Sequence, residues 1–325
     1  MIRATRPTSR RLAHVSLAVG ALAALAACAD APPAVAIPNV FDLSHDPTSA
    51  IPQIDPLREG VMNADRLRNQ IEKEFTWHGV TLTQVMRRAH AGDPMVQAWI
   101  EELTGSTDDI TAAVGLVYGR EAANAFNQQW SQHTQFLVDY AVAIAEGDAS
   151  AADMAREQLT IYAADSGSFF AEVTDNGLPA DAVTGLLDTH VAHMLQMIDA
   201  VDRGDDPGAL EFALEDNEYL STVAQGLATA MAANQSLAFP GTIETPEALY
   251  CSIITTQTGN FLLRELFIPS DGTASSAAFE QATGVKLEAV VGVIDQLQAA
   301  DVVLAAQTAD LALDRAFEHA RPPAP

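Results

Sequence analysis

The chain has 325 residues, of which 48% are hydrophobic, and it carries a formal net charge of −26 at pH 7. Its length allows one large core or two smaller ones. Its acidic balance argues against nucleic-acid binding, because a negative surface repels phosphate backbones, and it favours cations or basic partners. The same charge also fits a simple need for solubility on a crowded cell surface.

The first 27 residues predict a lipoprotein signal peptide. Four arginines precede a nearly uncharged run from Leu12 to Ala27, which is too short for the roughly 18 apolar residues of a spanning helix. The run ends in LAAC at Cys28, which resembles the bacterial lipobox, whose cysteine carries diacylglycerol and is usually acylated, for example with palmitate. We therefore expect an extracytoplasmic protein held at a membrane through lipid on Cys28. The alternative is a short apolar anchor that is never cleaved.

Cleavage before Cys28 would make the protein more acidic. The removed segment holds four of the 17 basic residues and none of the 43 acidic ones, so 13 basic and 43 acidic residues remain, a net charge of −30. Residues 28–60 then lead the mature chain and include six prolines without sustained periodicity. Such a composition predicts an extended tether between the lipid and the folded part.

Helix signals follow the tether almost without interruption, and no segment alternates with the two-residue period of a strand. The fold class predicted is all-α, an up-down bundle of tandem helical hairpins with two further C-terminal helices. We assign residues 61–236 to a bundle of three histidine-bearing hairpins and residues 237–325 to a C-terminal extension, either packed on the bundle or separate. The predicted helices are 63–91, 94–118, 120–146, 149–174, 180–203, 207–234, 246–267 and 285–319.

Three histidines recur at one height of this repeat. His78, His133 and His190 each lie fourteen residues before a Gly-Asp pair. Five positions around each histidine, at the spacing of a helix stripe that faces a partner helix, are apolar or aromatic in all three copies. They are Ile71, Phe75, Leu82, Val85 and Ala89, then Phe126, Trp130, Leu137, Tyr140 and Ile144, then Val183, Leu187, Met194, Met197 and Val201. The histidines are therefore predicted on the buried seam.

Carboxylates are predicted beside two of these histidines. Counting along the returning helices places Asp109 and Asp165 near the level of the histidine of their own hairpin, at the edge of the buried stripe. The third hairpin has Ser221 at that level and instead adds His193 one turn after His190. A His-Asp pair is thus suggested in the first two hairpins and doubtful in the third.

Three interpretations of the histidines remain open. They could fix helix register as satisfied core residues, bind copper or zinc as neutral imidazoles, or hold haem or another cofactor, although no Cys-x-x-Cys-His motif is present. In an up-down bundle the first and third helices would lie diagonally, about 12–14 Å apart, a gap that two inward imidazoles nearly bridge. The candidate metal-site residues are His78, His133, His190, His193, Asp109 and Asp165.

Enzyme classes with recognisable motifs are not indicated. A ferritin-like di-iron centre needs two Glu-x-x-His units, and the chain has none. Nothing in it matches a nucleophile elbow, a phosphate loop or a zinc-protease helix. We therefore expect a binding protein or a structural and interaction protein, not an enzyme.

The middle of the chain carries a resemblance. The segments AAVGLVYGREAANAFNQQWSQHTQFLVDYAVAIAEGD, LTIYAADSGSFFAEV and GLLDTHVAHMLQMIDAVDRGD are similar to uncharacterised secreted or lipid-anchored helical proteins of bacteria with tandem histidine-bearing hairpins. The resemblance covers about residues 63–234. It implies the hairpin fold and no particular activity, and the protein partner stays unknown.

Overall fold

The computed structural model describes residues 63–235 and 239–267, and within them it confirms the all-α prediction. The predicted signal peptide, the tether and the helix at 285–319 lie outside the described residues. Each described helix begins and ends within two residues of the predicted bounds. The helices are α1 (Ala64–Ala91), α2 (Val96–Tyr118), α3 (Arg120–Glu146), α4 (Ala149–Val173), α5 (Ala180–Asp202), α6 (Asp206–Asn234) and α7 (Pro246–Phe267). None of these seven has an apolar stretch of the length that crossing a bilayer requires.

The first six helices form a closed ring of three hairpins. Each helix packs against the next, and α6 packs against α1. The histidine-bearing helices α1, α3 and α5 also pack against one another, so they form the inner trio of the ring. The expectation that α1 and α3 lie diagonally was wrong, because it assumed a four-helix cross-section in which alternate helices do not touch. Three hairpins instead bring three apolar stripes together at one axis.

The Gly-Asp turns fix where each hairpin reverses. Gly92, Gly147 and Gly204 adopt left-handed backbone conformations with φ of 62°, 68° and 70°, which a residue with a Cβ rarely tolerates. Asp148 then caps α4 by accepting from two backbone N–H groups, and Asp205 caps α6 through the Gly208 N–H. Because each histidine is the same number of residues from its turn, the three rings arrive at one level of the bundle.

The level of the three histidines divides the apolar core into two clusters. Thirteen of the fifteen predicted stripe residues are buried, while Ile144 and Val201, in the last turns of their helices, are partly buried. One cluster lies toward the Gly-Asp turns and includes Leu82, Val85, Leu137, Met194 and Met197. The other lies toward the opposite end and includes Ile71, Phe75, Phe126, Trp130 and Leu187. The histidines therefore occupy a polar layer between two apolar ones.

The described part of the C-terminal extension is packed on the bundle. Helix α7 lies against α1 and α6. Gly259 permits this approach, since a Cβ there would come within 2.6 Å of the Asn217 side-chain oxygen and 2.7 Å of Thr76 Cγ2. Asn217 in turn donates from Nδ2 to the Thr256 carbonyl at 3.0 Å and to Asn260 Oδ1 at 2.9 Å. Helix α7 thus covers the side of the ring where α6 meets α1.

Candidate metal centre

One histidine from each inner helix converges on the axis of the ring. The ring centroids of His78 and His133 are 5.4 Å apart, those of His78 and His190 6.2 Å, and those of His133 and His190 6.1 Å. Their exposed fractions are 0%, 1% and 3%. One ring nitrogen from each residue lies within 4.8 Å of the other two. We call these three residues the triad.

The spacing of the triad is close to that of a metal site. Zinc and similar ions bind imidazole nitrogens at about 2.0–2.1 Å, which puts two nitrogens of a tetrahedral site about 3.3 Å apart. From nitrogens within 4.8 Å of one another, each ring would need to move by less than about 1 Å to reach that distance. Side-chain rotation of that size leaves the helices where they are.

Asp216 on α6 orients the third member of the triad. His190 Nδ1 lies 2.8 Å from Asp216 Oδ1, and the carboxylate is 1% exposed. Burial raises the pKa of Asp216, but its contacts with His190 and His193 outweigh burial and leave the pKa below its usual range. The ionised carboxylate accepts, so His190 donates from Nδ1, and in the neutral ring the lone pair lies on Nε2. Histidines that bind metals are commonly held by a carboxylate in this way.

The other two rings have no polar partner. Neither nitrogen of His78 and neither nitrogen of His133 makes a hydrogen bond, and His190 Nε2 makes none. Their neighbours are aromatic: the Trp130 ring lies 4.7 Å from both His78 and His133, and Tyr162 stacks on His133 at 4.7 Å with an interplanar angle of 14°. Five ring nitrogens with unused hydrogen-bonding capacity therefore meet in a buried aromatic setting.

The surroundings keep the imidazoles of His78 and His133 neutral. Burial is the main cause that lowers the pKa of His78 well below its ordinary value, and the charged forms of His133 and His190 add to it. The pKa of His133 falls to about 3, mainly through burial and then through His190, while the nearby Trp130 backbone carbonyl, which lies outside hydrogen-bond geometry, acts in the opposite direction. At neutral pH both imidazoles thus offer a lone pair without competition from a proton.

Gly79 places α6 beside the triad. A Cβ on this residue would lie 2.7 Å from Leu220 Cδ1 and 3.9 Å from Asp216 Oδ2. The missing side chain, one residue after His78, therefore lets α6 approach α1 closely. This approach carries the Asp216 carboxylate to the edge of the triad.

The remaining predicted site residues lie elsewhere. Asp109 and Asp165 are exposed and do not join the group of ligand nitrogens. His193 is 18% exposed, and its Nδ1 lies 3.5 Å from the same Asp216 oxygen that binds His190. The prediction that Asp109 and Asp165 lie beside the histidines was wrong, because residues at the right height along a helix can still face solvent.

The carboxylate that orients His190, Asp216, lies in the third hairpin, for which the sequence made a His-Asp pair doubtful. Asp216 lies ten residues into α6 and five residues before Ser221, so it is more than one helical turn short of the level predicted for a partner of His190. A second signal was present in the sequence, since Asp216 follows Ala213 by three residues and precedes Leu220 by four. All three are buried, so the helical stripe of α6 would have placed this aspartate inside.

Comparison with known proteins gives no relative for this arrangement. No protein-family model, curated protein or solved structure matches the chain. The resemblance of residues 63–234 to bacterial hairpin proteins therefore stays a prediction.

Proposed function

We propose that this protein is a lipid-anchored extracytoplasmic protein whose bundle binds one transition-metal ion, copper or zinc, through His78, His133 and His190. The observation that carries the proposal is the convergence of five ring nitrogens without hydrogen-bond partners at one buried level. An unsatisfied buried polar group costs about 1–3 kcal/mol. A metal ion bound by one nitrogen of each ring would offset part of that cost, and neutral imidazole suits copper and zinc.

A role in packing alone is less well supported. Histidines that fix helix register are satisfied by a carboxylate or a carbonyl when they are buried. Only His190 meets that condition, through Asp216. The other two would impose their desolvation cost on the fold without a compensating bond.

The burial of the triad favours holding an ion over turning over a substrate. All three rings are at most 3% exposed, whereas catalytic metal sites keep a position open to water or substrate. We therefore propose a binding protein, which agrees with the missing enzyme motifs.

Membrane attachment is the second part of the proposal. Its support is the arginine-led apolar run that ends in LAAC at Cys28. Replacing this residue, Cys28→Ser, should move the protein from the membrane fraction to a soluble or unprocessed form. Unchanged membrane retention of a cleaved protein would contradict the lipid anchor.

Metal content tests the triad. Tag-free wild type and a His78→Gln/His133→Gln double variant are dialysed against Cu(II) with ascorbate or against Zn(II), and bound metal and melting temperature are measured. We expect one equivalent of one of these metals on the wild type and none on the double variant. At a free metal concentration of 100 times Kd, binding would stabilise the wild type by about 2.7 kcal/mol.

His90→Gln is the matched control. His90 lies at the end of α1, where Nε2 is 3.1 Å from an Asp202 oxygen, outside the triad. This variant should bind as the wild type does. Equal binding by wild type and the folded double variant, or no binding by either, would contradict a metal site at the triad.

A further inference from the structure

We infer that the triad takes a monovalent copper ion, Cu(I), in preference to Cu(II) or Zn(II). This inference rests on the metal binding proposed above and adds the charge of the ion. Its basis is the number of negative charges and the number of ligands that the buried layer provides.

The layer provides one negative charge. The only carboxylate that hydrogen-bonds the triad within residues 63–235 and 239–267 is Asp216, through His190. His193 contacts the same carboxylate oxygen, and this contact raises the pKa of His193, so the ring adds no negative charge and, when protonated, further favours an ion of low charge. The three imidazoles are neutral ligands, so a bound ion would be balanced by Asp216 alone.

Glu72 and Glu74, the buried carboxylates of α1 nearest to His78 along the helix, are engaged elsewhere. Glu72 is paired with Arg68, whose Nε lies 3.5 Å from its Oε2. Glu74 accepts from Gln70 at 2.6 Å and lies 3.9 Å from Lys73 Nζ. Their charges are therefore matched by cations that are already present.

A divalent ion would leave one positive charge uncompensated. The triad is buried between aromatic rings, where water cannot screen such a charge and where an unpaired charge is strongly disfavoured. A monovalent ion and Asp216 together are neutral. Charge balance therefore favours Cu(I) over Cu(II) and Zn(II).

The number of ligands points in the same direction. Zinc bound by three protein histidines takes water as its fourth ligand, and Cu(II) prefers a tetragonal set, whereas the triad rings are at most 3% exposed. The described residues group three nitrogen ligands at this point, with no carboxylate among them to supply a fourth ligand. Cu(I), with a filled d shell, accepts three ligands in a plane.

The test compares three ions on the tag-free wild-type protein. Cu(I) is supplied anaerobically with ascorbate, and Cu(II) and Zn(II) are supplied separately, each buffered to the same free concentration before desalting and metal analysis. We expect one equivalent of Cu(I) and much less Cu(II) or Zn(II). Weak Cu(II) binding would be distinctive, because nitrogen sites normally bind Cu(II) with higher affinity than Zn(II).

A matched pair of variants tests the charge itself. Asp216→Asn keeps an oxygen that can accept from His190 and removes the negative charge, and Asp188→Asn makes the same change at an exposed position of α5. Competition with a Cu(I) chelator should show weaker Cu(I) binding for Asp216→Asn and unchanged binding for Asp188→Asn. Circular dichroism checks that each variant is folded.

The outcomes distinguish the preference for Cu(I) from the metal site on which it rests. Zn(II) or Cu(II) held as tightly as Cu(I), and lost in the His78→Gln/His133→Gln variant, would overturn the preference and support the metal site. Wild-type Cu(I) affinity in folded Asp216→Asn would also overturn the charge argument. Failure of the wild type to bind any of the three ions would overturn the metal site itself.

Discussion

Two buried polar sites on α1, six residues apart, differ in how their polar groups are paired. The Glu72 carboxylate, 1% exposed, accepts from the Ser221 hydroxyl and from the Ser252 hydroxyl at 2.5 Å. Its other oxygen faces the buried guanidinium of Arg68. His78 is buried just as deeply, and neither of its ring nitrogens has a hydrogen-bond partner.

This difference separates a structural polar site from the proposed binding site in the same bundle. Glu72 joins three helices, since Ser221 belongs to α6 and Ser252 to α7. One oxygen of Glu72 accepts two hydrogen bonds and the other is paired with Arg68, so the carboxylate is compensated for the loss of water. The site holds α7 against the bundle, and this structural role accounts for its burial. The triad has such compensation only at His190, and the proposed metal ion, bound by one nitrogen of each ring, would use three of the five nitrogens that have no hydrogen-bond partner.

Acidification should lower the folding stability of the metal-free protein through the histidines of the triad. The folded pKa of His133 is about 3 and that of His78 is also depressed, against 6.5 for an ordinary histidine. The unfolded chain therefore binds more protons in this range, so stability is present above pH 6.5 and is lost as pH falls. At about 1.4 kcal/mol per pKa unit, the His133 ring should cost about 2–3 kcal/mol between pH 6.5 and about 4.5, and the depressed pKa of His78 acts in the same direction. Urea unfolding across this range measures the loss.

The control for this prediction is the His78→Gln/His133→Gln variant. It retains every carboxylate, so its pH dependence reports the rest of the chain. A free energy of unfolding that falls equally in both proteins would contradict the depressed pKa values.

Removing the charge of Glu72 should destabilise the protein whether or not metal is present. Glu72→Gln leaves the buried Arg68 without its ion pair, and breaking a buried pair at one partner costs about 3–5 kcal/mol. Exposed Glu157 on α4 provides the matched control, Glu157→Gln. Chemical unfolding with and without copper or zinc should give the same loss. A cost that appears only with metal would mean that the two sites are coupled.

Removing one triad ring should cost much less in the metal-free protein. His133→Gln breaks no hydrogen bond and loses ring contacts with Trp130 and Tyr162, which are worth about 0.5–1.5 kcal/mol each. The same change should remove the stabilisation that metal gives to the wild type. A metal-independent loss as large as that of Glu72→Gln would assign His133 to packing.

The sequence predicted the helices and the level of the triad because both follow from local rules. Helix bounds depend on caps, turns and periodicity, and the fixed interval to each Gly-Asp turn sets the height of each histidine. The packing of three hairpins into a ring with α1, α3 and α5 inside depends on contacts between distant segments. That is why the expected diagonal between α1 and α3 was wrong, although His78, His133 and His190 were all named as candidate ligands.

The choice of carboxylate failed for a related reason. Height along a helix can be counted from a turn, but the direction of a side chain depends on its angle around the helix axis. Asp109 and Asp165 satisfied the first condition and face solvent, whereas Asp216 satisfied the second. Its contact also needs the close approach of α6 at Gly79, which sequence alone does not show.

A crystal structure of the metal-loaded protein, with anomalous diffraction data at the absorption edge of the metal, tests the central claim most directly. We predict one anomalous peak on the axis of the ring, about 2.0–2.1 Å from one nitrogen each of His78, His133 and His190. The nitrogens, now within 4.8 Å of one another, should draw closer while His190 keeps its bond to Asp216. A loaded protein whose only anomalous peaks lie at surface residues, with the triad rings unchanged, would contradict the account.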